Sequence, residues 1–182
     1  FMKKDIVEYL GFNDEEEKLY IANLAKVNEE LQLLYDIEGS DKMQILKMLT
    51  RLRQICLEPR MIYDNINHPS SKLKACLELL KTFNENNQKV LLFSSFTTAL
   101  DYIGEECHKA GISYYMLTGK TNKEQRRELV SRFQKDDTTV FLISLKAGGT
   151  GLNLTSAQAV IHYDPWWNVS AQNQATDRAY RI

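Results

Sequence analysis

Apolar positions in the first third of the chain recur at helical intervals. Between 14 and 35 they fall at Tyr20, Leu24, Val27, Leu31 and Leu34, four or three residues apart. That spacing makes one buried stripe on an amphipathic helix, with Asp14 as the expected N-cap. Glu38, Gly39 and Ser40 break the pattern, and Ile45, Leu49, Leu52 and Cys56 resume it until Pro59. Residues 1–70 therefore read as a helical segment, a hairpin of amphipathic helices. A linker over 63–71, with Asp64, Asn65, Asn67, Pro69 and two serines, stands at its end. Two apolar stripes exceed what one hairpin buries, so one of them is expected to face another domain.

Beyond the linker the pattern changes. Leu73, Leu77 and Leu80 mark one more helix, and short apolar runs then alternate with helical stretches. The runs 89–93, 113–117, 139–143 and 159–163 read as strands. One helix is expected from Thr97 to a stop at Gly111. Another starts at a cap, Asn122, with Gln125 at the capping-box position and Leu129, Val130 and Phe133 on its apolar face. Near-continuous apolar strands separated by helices spell a parallel sheet covered on both faces, so 71–182 is expected to be an α/β lobe. Right-handed crossovers place the loops after the four strands, 94–97, 118–121, 144–151 and 164–168, along one rim.

Composition narrows the function. With 43% hydrophobic and 26% charged residues in 182, the chain has material for a core and is not globally disordered. No apolar run approaches the roughly 20 residues of a membrane span, and no signal-like block opens the chain, so a soluble intracellular protein is expected. Cys56, Cys76 and Cys107 are scattered without a CxxC, as are His68, His108 and His162, and no metal site is expected. Net charge is −1, from 23 basic and 24 acidic residues, so any contact with a polyanion must come from a local cluster or a shared surface. Arg51, Arg53 and Arg60 are close together over 50–62 and read as a solvated or salt-bridged helix face.

The last third carries the candidate chemistry. Gly148, Gly149 and Gly151 lie between two apolar runs, where backbone can approach a ligand and present N–H groups, and Thr150 adds a hydroxyl. Arg178 and Arg181 are three apart, so on a helix both guanidinium groups would leave from one face, and such a pair suits a nucleotide phosphate. Ser94 and Ser95 at a strand end either donate to a phosphate or cap the next helix. Trp166 and Trp167, after Pro165, are core anchors or a nucleic-acid platform, and one of each is expected. The GKT at 119–121 falls short of a P-loop, because Tyr114 stands where the motif needs a glycine. No GxxxxGK[ST] and no acidic strand-end pair occurs anywhere, so the parts that hold ATP phosphates and Mg²⁺ are missing.

Three segments, SLKAGGTGLNLT (144–155), HYDPWWN (162–168) and QATDRAYRI (174–182), resemble the fifth and sixth motifs of the Swi/Snf-type ATPases of helicase superfamily two, in their bacterial form. FSSF (93–96) is similar to the fourth motif, with Ser95 in place of Gln. LTGKT (117–121) stands where the family usually reads LDGST, and LRQIC at 52–56 is similar to the family's entry into its second lobe. The resemblance runs from about Asp14 to Ile182 and stops just inside a motif that family members usually continue with Gly-Gln, which implies a fragment. It implies a RecA-like second motor lobe, with ATP and Mg²⁺ held mainly by an absent first lobe. Arg178 and Arg181 are its implied catalytic residues, Arg181 as the arginine finger. Gly149, Gly151, Gln174 and Asp177 are implied on the nucleotide side, and Ser94, Ser95, Lys120, Lys146, Gly148, Thr150, Trp166 and Trp167 on the DNA side. The implied partners are double-stranded DNA and an N-terminal RecA-like lobe, with no membrane and no obligate oligomer. The chain alone is expected to be inactive. It is expected in the cytoplasm by the nucleoid if bacterial and in the nucleus if eukaryotic. A non-catalytic RecA-like module that binds DNA or protein is the rival reading.

Overall fold

Asn13, rather than Asp14, caps the first helix. The structure, a computed structural model, describes residues 11–35, 42–149 and 152–164. At the start of α1 (Asp14–Tyr35), Asn13 Oδ1 accepts the Glu16 amide at 2.8 Å and Glu16 Oε2 accepts the Asn13 amide at 3.3 Å, a reciprocal capping box. Glu16 Oε1 also accepts the Ser71 amide at 2.7 Å, at the first residue of α3 (Ser71–Glu85). A carboxylate that is only 6% exposed thus sits where a helix N-terminus favours negative charge.

Two compact units divide between Lys74 and Ala75. In the first, α1 packs on α2 (Lys42–Leu57) through Val27, Met48 and Leu52, with Tyr20, Leu24, Leu31 and Ile45 around them. The stripe on α2 runs through Met48, and Leu49, expected in it, is 39% exposed. The expected break at Glu38, Gly39 and Ser40 lies outside the described residues. After α2, Pro59–Met61 form a 3-10 turn. Glu58, almost fully buried, accepts Arg60 Nη2 at 2.7 Å and the Ser70 amide at 3.1 Å, while Ser70 Oγ accepts the Leu73 amide at 3.0 Å. Arg51 donates to Asn23 Oδ1 at 3.2 Å and lies over the Tyr63 ring. Arg60 is thus ion-paired, whereas Arg51, which is exposed, is held by a neutral amide and a ring.

The second unit is built on a four-stranded parallel sheet in the order β2-β3-β1-β4, from β1 (Val90–Ser94), β2 (Tyr114–Leu117), β3 (Val140–Ser144) and β4 (Ala159–His162). Each strand lies within a residue of its expected bounds. The central strands β1 and β3 are buried throughout, because both their faces are covered. One face carries Leu91, Phe93, Leu117, Phe141 and Ile143 against Leu129, Val130 and Phe133 of α5 (Lys123–Lys135). On the other, α4 (Thr97–Lys109) buries Ala99, Leu100, Ile103 and Cys107. Gly104 lets α4 approach β2: a Cβ there would meet the Tyr114 ring at 3.1 Å. Gly111, at φ +72°, follows α4 in the left-handed conformation that ends helices. The Asn122–Gln125 capping box opens α5 as expected. The chain thus has an α/β architecture, a parallel sheet covered by helices and preceded by a helical segment.

Burial, with Glu106 nearby, pushes the Cys107 thiol up to about 12. At the foot of the sheet, Lys89 Nζ donates to the carbonyls of Phe133 and Thr138, both at 2.7 Å, and lies 4.2 Å from the Phe133 ring centroid. Asp136, 3.8 Å from Lys89, accepts the Tyr115 hydroxyl and the Thr138 amide. No helix among the described residues is long and apolar enough to cross a membrane.

Phe133 is fully buried at the centre of its face, so Phe133→Ala should cost about 3–5 kcal/mol in urea unfolding. Burial raises the pKa of Asp136, but the hydrogen bonds from Tyr115 and Thr138 and the charge of Lys89 outweigh it, and the net value falls below the ordinary 3.8. A depressed carboxylate pKa contributes stability that is present above the unfolded value and lost as pH falls through the folded one. Asp136→Asn should therefore leave a shallower loss of stability below about pH 4, read by denaturant melts across pH.

Candidate functional site

Parallel register brings the strand ends together. Ser94 of β1 is level with Ser144 of β3, Phe93 with His162 of β4, and Leu117 of β2 with Ile143. The chain leaves all four strands at this edge, and the candidate residues that the structure describes collect there.

Asp164 closes one end of the rim. It is 2% exposed, and its carboxylate accepts Ser94 Oγ at 2.5 Å, the Ser95 amide at 3.1 Å and the Ser95 hydroxyl. Ser94 Oγ in turn accepts the Phe96 amide at 3.1 Å, at the entry to α4. The two hydroxyls are thus donated to a carboxylate 70 and 69 residues further along the chain. Ser94 is fully buried and offers no surface to a ligand in this conformation, whereas Ser95 is exposed. Sequence reasoning passed over Asp164, although an aspartate directly after an apolar strand was a visible signal.

The glycine loop follows β3. Ala147–Gly149 form a 3-10 turn, and the Leu145 amide donates to the Ser94 carbonyl at 3.0 Å. Gly148 is buried, and a Cβ there would meet Phe93 Cε1 at 3.0 Å and Ile143 Cγ2 at 3.3 Å. Its lack of a side chain is used inward, to let the loop lie on the Phe93 ring. That ring also stacks on His162, with centroids 5.7 Å apart, so Phe93 supports both the glycine loop and the end of β4.

Two lysines stand free of this packing. Lys146 is exposed on the glycine loop, and Lys120 is exposed on the turn after β2. That turn is drawn tight by Thr118 and Thr121: the Thr118 amide donates to Thr121 Oγ1, and the Thr121 amide to the Thr118 carbonyl, each at 3.1 Å. Tyr114, where a P-loop would need glycine, is the first residue of β2. β2 and β3 are neighbours, so the loops of Lys120 and Lys146 are adjacent on the rim. Gly149 ends the 3-10 turn. Thr150, Gly151, Trp166, Trp167, Gln174, Asp177, Arg178 and Arg181 lie outside the described residues. Among the described residues no group of three or more His, Cys, Asp or Glu is placed to hold a metal ion. The described rim thus offers lysines and small hydroxylic residues to an anion, and no metal-binding set.

Residues 71–182 match the helicase conserved C-terminal domain. An uncharacterized ATP-dependent helicase of Mycoplasma pneumoniae is 35% identical, over 96% of this chain and 17% of its own length. The SWI/SNF-related matrix-associated actin-dependent regulator of chromatin subfamily A member 1 of Mus musculus is 35% identical, over 99% of this chain and 18% of its own. The chain therefore spans less than a fifth of these curated relatives. Among solved structures, the Sulfolobus solfataricus SWI2/SNF2 ATPase core in complex with dsDNA superposes with a TM-score of 0.78 at 28% identity, covering 94% of this chain and 36% of that one.

The contact at Gly148 is testable. Gly148→Ala forces a methyl against Phe93 and Ile143, and overpacking of this kind typically costs about 1–3 kcal/mol. In a double-mutant cycle, Phe93→Leu should recover part of that cost; strictly additive losses would show that the Phe93 ring does not set the loop.

Proposed function

The chain belongs to the helicase conserved C-terminal domain family, with Swi/Snf-type ATP-dependent helicases among its relatives, and on that premise we propose that it is the second motor lobe of an ATP-dependent translocase or remodeller of double-stranded DNA. The observation that carries this reading is the rim, where one edge of a parallel sheet gathers the glycine loop and two exposed lysines, while no GxxxxGK[ST] exists in the chain. Such a lobe completes a nucleotide site and does not begin one. In this reading residues 1–70 are a helical segment and 71–182 the lobe proper.

ATP and Mg²⁺ are held mainly by a first lobe, the N-terminal RecA-like partner, which supplies the phosphate-binding loop and the metal ligands. This chain contributes Arg178 and Arg181, whose guanidinium groups meet the γ-phosphate as charge redistributes over its oxygens. Gln174 and Asp177 orient them, and Gly149 and Gly151 bring backbone to the nucleotide side. Toward DNA, Lys120, Lys146 and Thr150 contact the phosphate backbone, with Trp166 and Trp167 beside it, whereas Ser95, expected there too, gives both its amide and its hydroxyl to Asp164. Those contacts set register along the duplex and carry no base sequence. Ser94, buried under Asp164, and Gly148, packed on Phe93, act by holding the rim in shape. Closing and reopening of the two lobes around ATP then steps the pair along the duplex, and this chain alone hydrolyses essentially nothing.

ATP turnover checks the assignment. With a first lobe bearing the phosphate-binding loop, fused or in trans, turnover should rise on addition of duplex DNA. Arg181→Ala should lower it by about 10³- to 10⁵-fold. Turnover indifferent to Arg181 would leave a binding module in place of a motor lobe.

A further inference from the structure

The whole chain is close to neutral, at −1, yet α5 alone holds five basic residues, Lys123, Arg126, Arg127, Arg132 and Lys135, against Glu124 and Glu128. Their burial sorts them. Arg126 is half-buried on the side that carries Leu129, Val130 and Phe133, whereas Lys123 and Arg127 are exposed. Four residues apart on a helix, Lys123 and Arg127 stand one turn above each other, about 5–6 Å between their Cβ atoms. Glu128 on the same outward surface is taken by Arg132 at 2.5 Å, which leaves Glu124 as the one acidic neighbour among them. Among the described residues, none of Lys120, Lys123, Arg127 and Lys146 is in an ion pair.

The start of α5 lies at the rim, because the helix follows the turn after β2 and runs back from there. Its apolar side shares one cluster with Leu145 and Ala147 of the glycine loop, so helix and loop are anchored to the same core. Lys120, Lys123 and Arg127 therefore form a basic ledge beside Lys146, pointing to an anion with regularly spaced charges. We propose that Lys123 and Arg127 are a contact surface for the phosphate backbone of duplex DNA, extending the track past the loops. The proposal rests on the motor-lobe reading and adds two residues that its motifs do not contain.

The test measures binding of a fluorescent duplex to the chain joined to its first lobe, across a range of salt. Each lost phosphate contact lowers the slope of log affinity against log salt by about one. The variant Lys123→Ala/Arg127→Ala should lower it by about two, so that its deficit relative to native protein shrinks about tenfold between about 50 and 200 mM salt. DNA-independent ATP turnover should not move. Arg132→Ala/Lys135→Ala, which removes equal charge from the far end of α5, should leave the slope unchanged. An unchanged slope in the first variant, as for a surface serving an acidic protein, overturns the proposal, as does an equal effect in the second. Native protein without affinity for duplex DNA would sink the motor-lobe reading along with it.

Discussion

β1 is hydrogen-bonded along both edges, to β3 and to β4, in parallel register. Everything at the rim depends on that. Parallel pairing allows a strand only one direction, so three consecutive exits come out side by side, and the middle one is Phe93, Ser94 and Ser95. The glycine loop rests on that segment from one side and Asp164 grips it from the other. A shift of β1 by one residue would turn Phe93 to the opposite face and remove both supports at once. The candidate edge is therefore a by-product of the core: Leu91, Leu92, Leu142 and Ile143 set the register, and the loops inherit their positions from it.

Much of this was legible in the residues. β1 and β3 are buried on both faces and are written as unbroken apolar runs, which made their bounds readable to within a residue. Asn122 with Gln125, and Gly111 after α4, are local signals whose partners lie within a few residues, and the structure shows both as read. Cap and stripe details slipped by one position where two residues of equal merit were neighbours: Asn13 beside Asp14, and Met48 beside Leu49. In each case a tertiary partner decides, and no local pattern contains it. The candidate site divides the same way. Its loops could be placed from strand order and glycine content, but the clasp between Ser94 and Asp164 joins positions 70 apart, and the reason for glycine at 148 is an aromatic ring on another strand. Arg178 and Arg181 were read as a phosphate-binding pair from their spacing and as catalytic from motif likeness, and they lie outside the described residues.

In the helical unit buried carboxylates gather at the start of one helix. The start of α3 receives Glu16 and Ser70 directly, and Glu58 through the Ser70 amide, with Arg60 balancing the last. Burying carboxylates is unfavourable unless they are paired and hydrogen-bonded, and here helix amides and one guanidinium supply that. Over 50–62, which reads from sequence as a solvated or salt-bridged face, Arg60 is tied to Glu58 and Arg51 to Asn23.

The concealment of Cys107 on the inner side of α4 has a practical side. A thiol with its pKa pushed up to about 12 is almost wholly protonated at neutral pH, and only the thiolate is a competent nucleophile. Alkylating reagents thus find this sulfur only when α4 lifts from the sheet or the whole domain opens. The residue is a native clock for such excursions: its labelling rate distinguishes a plate that moves as one piece from a plate that flexes.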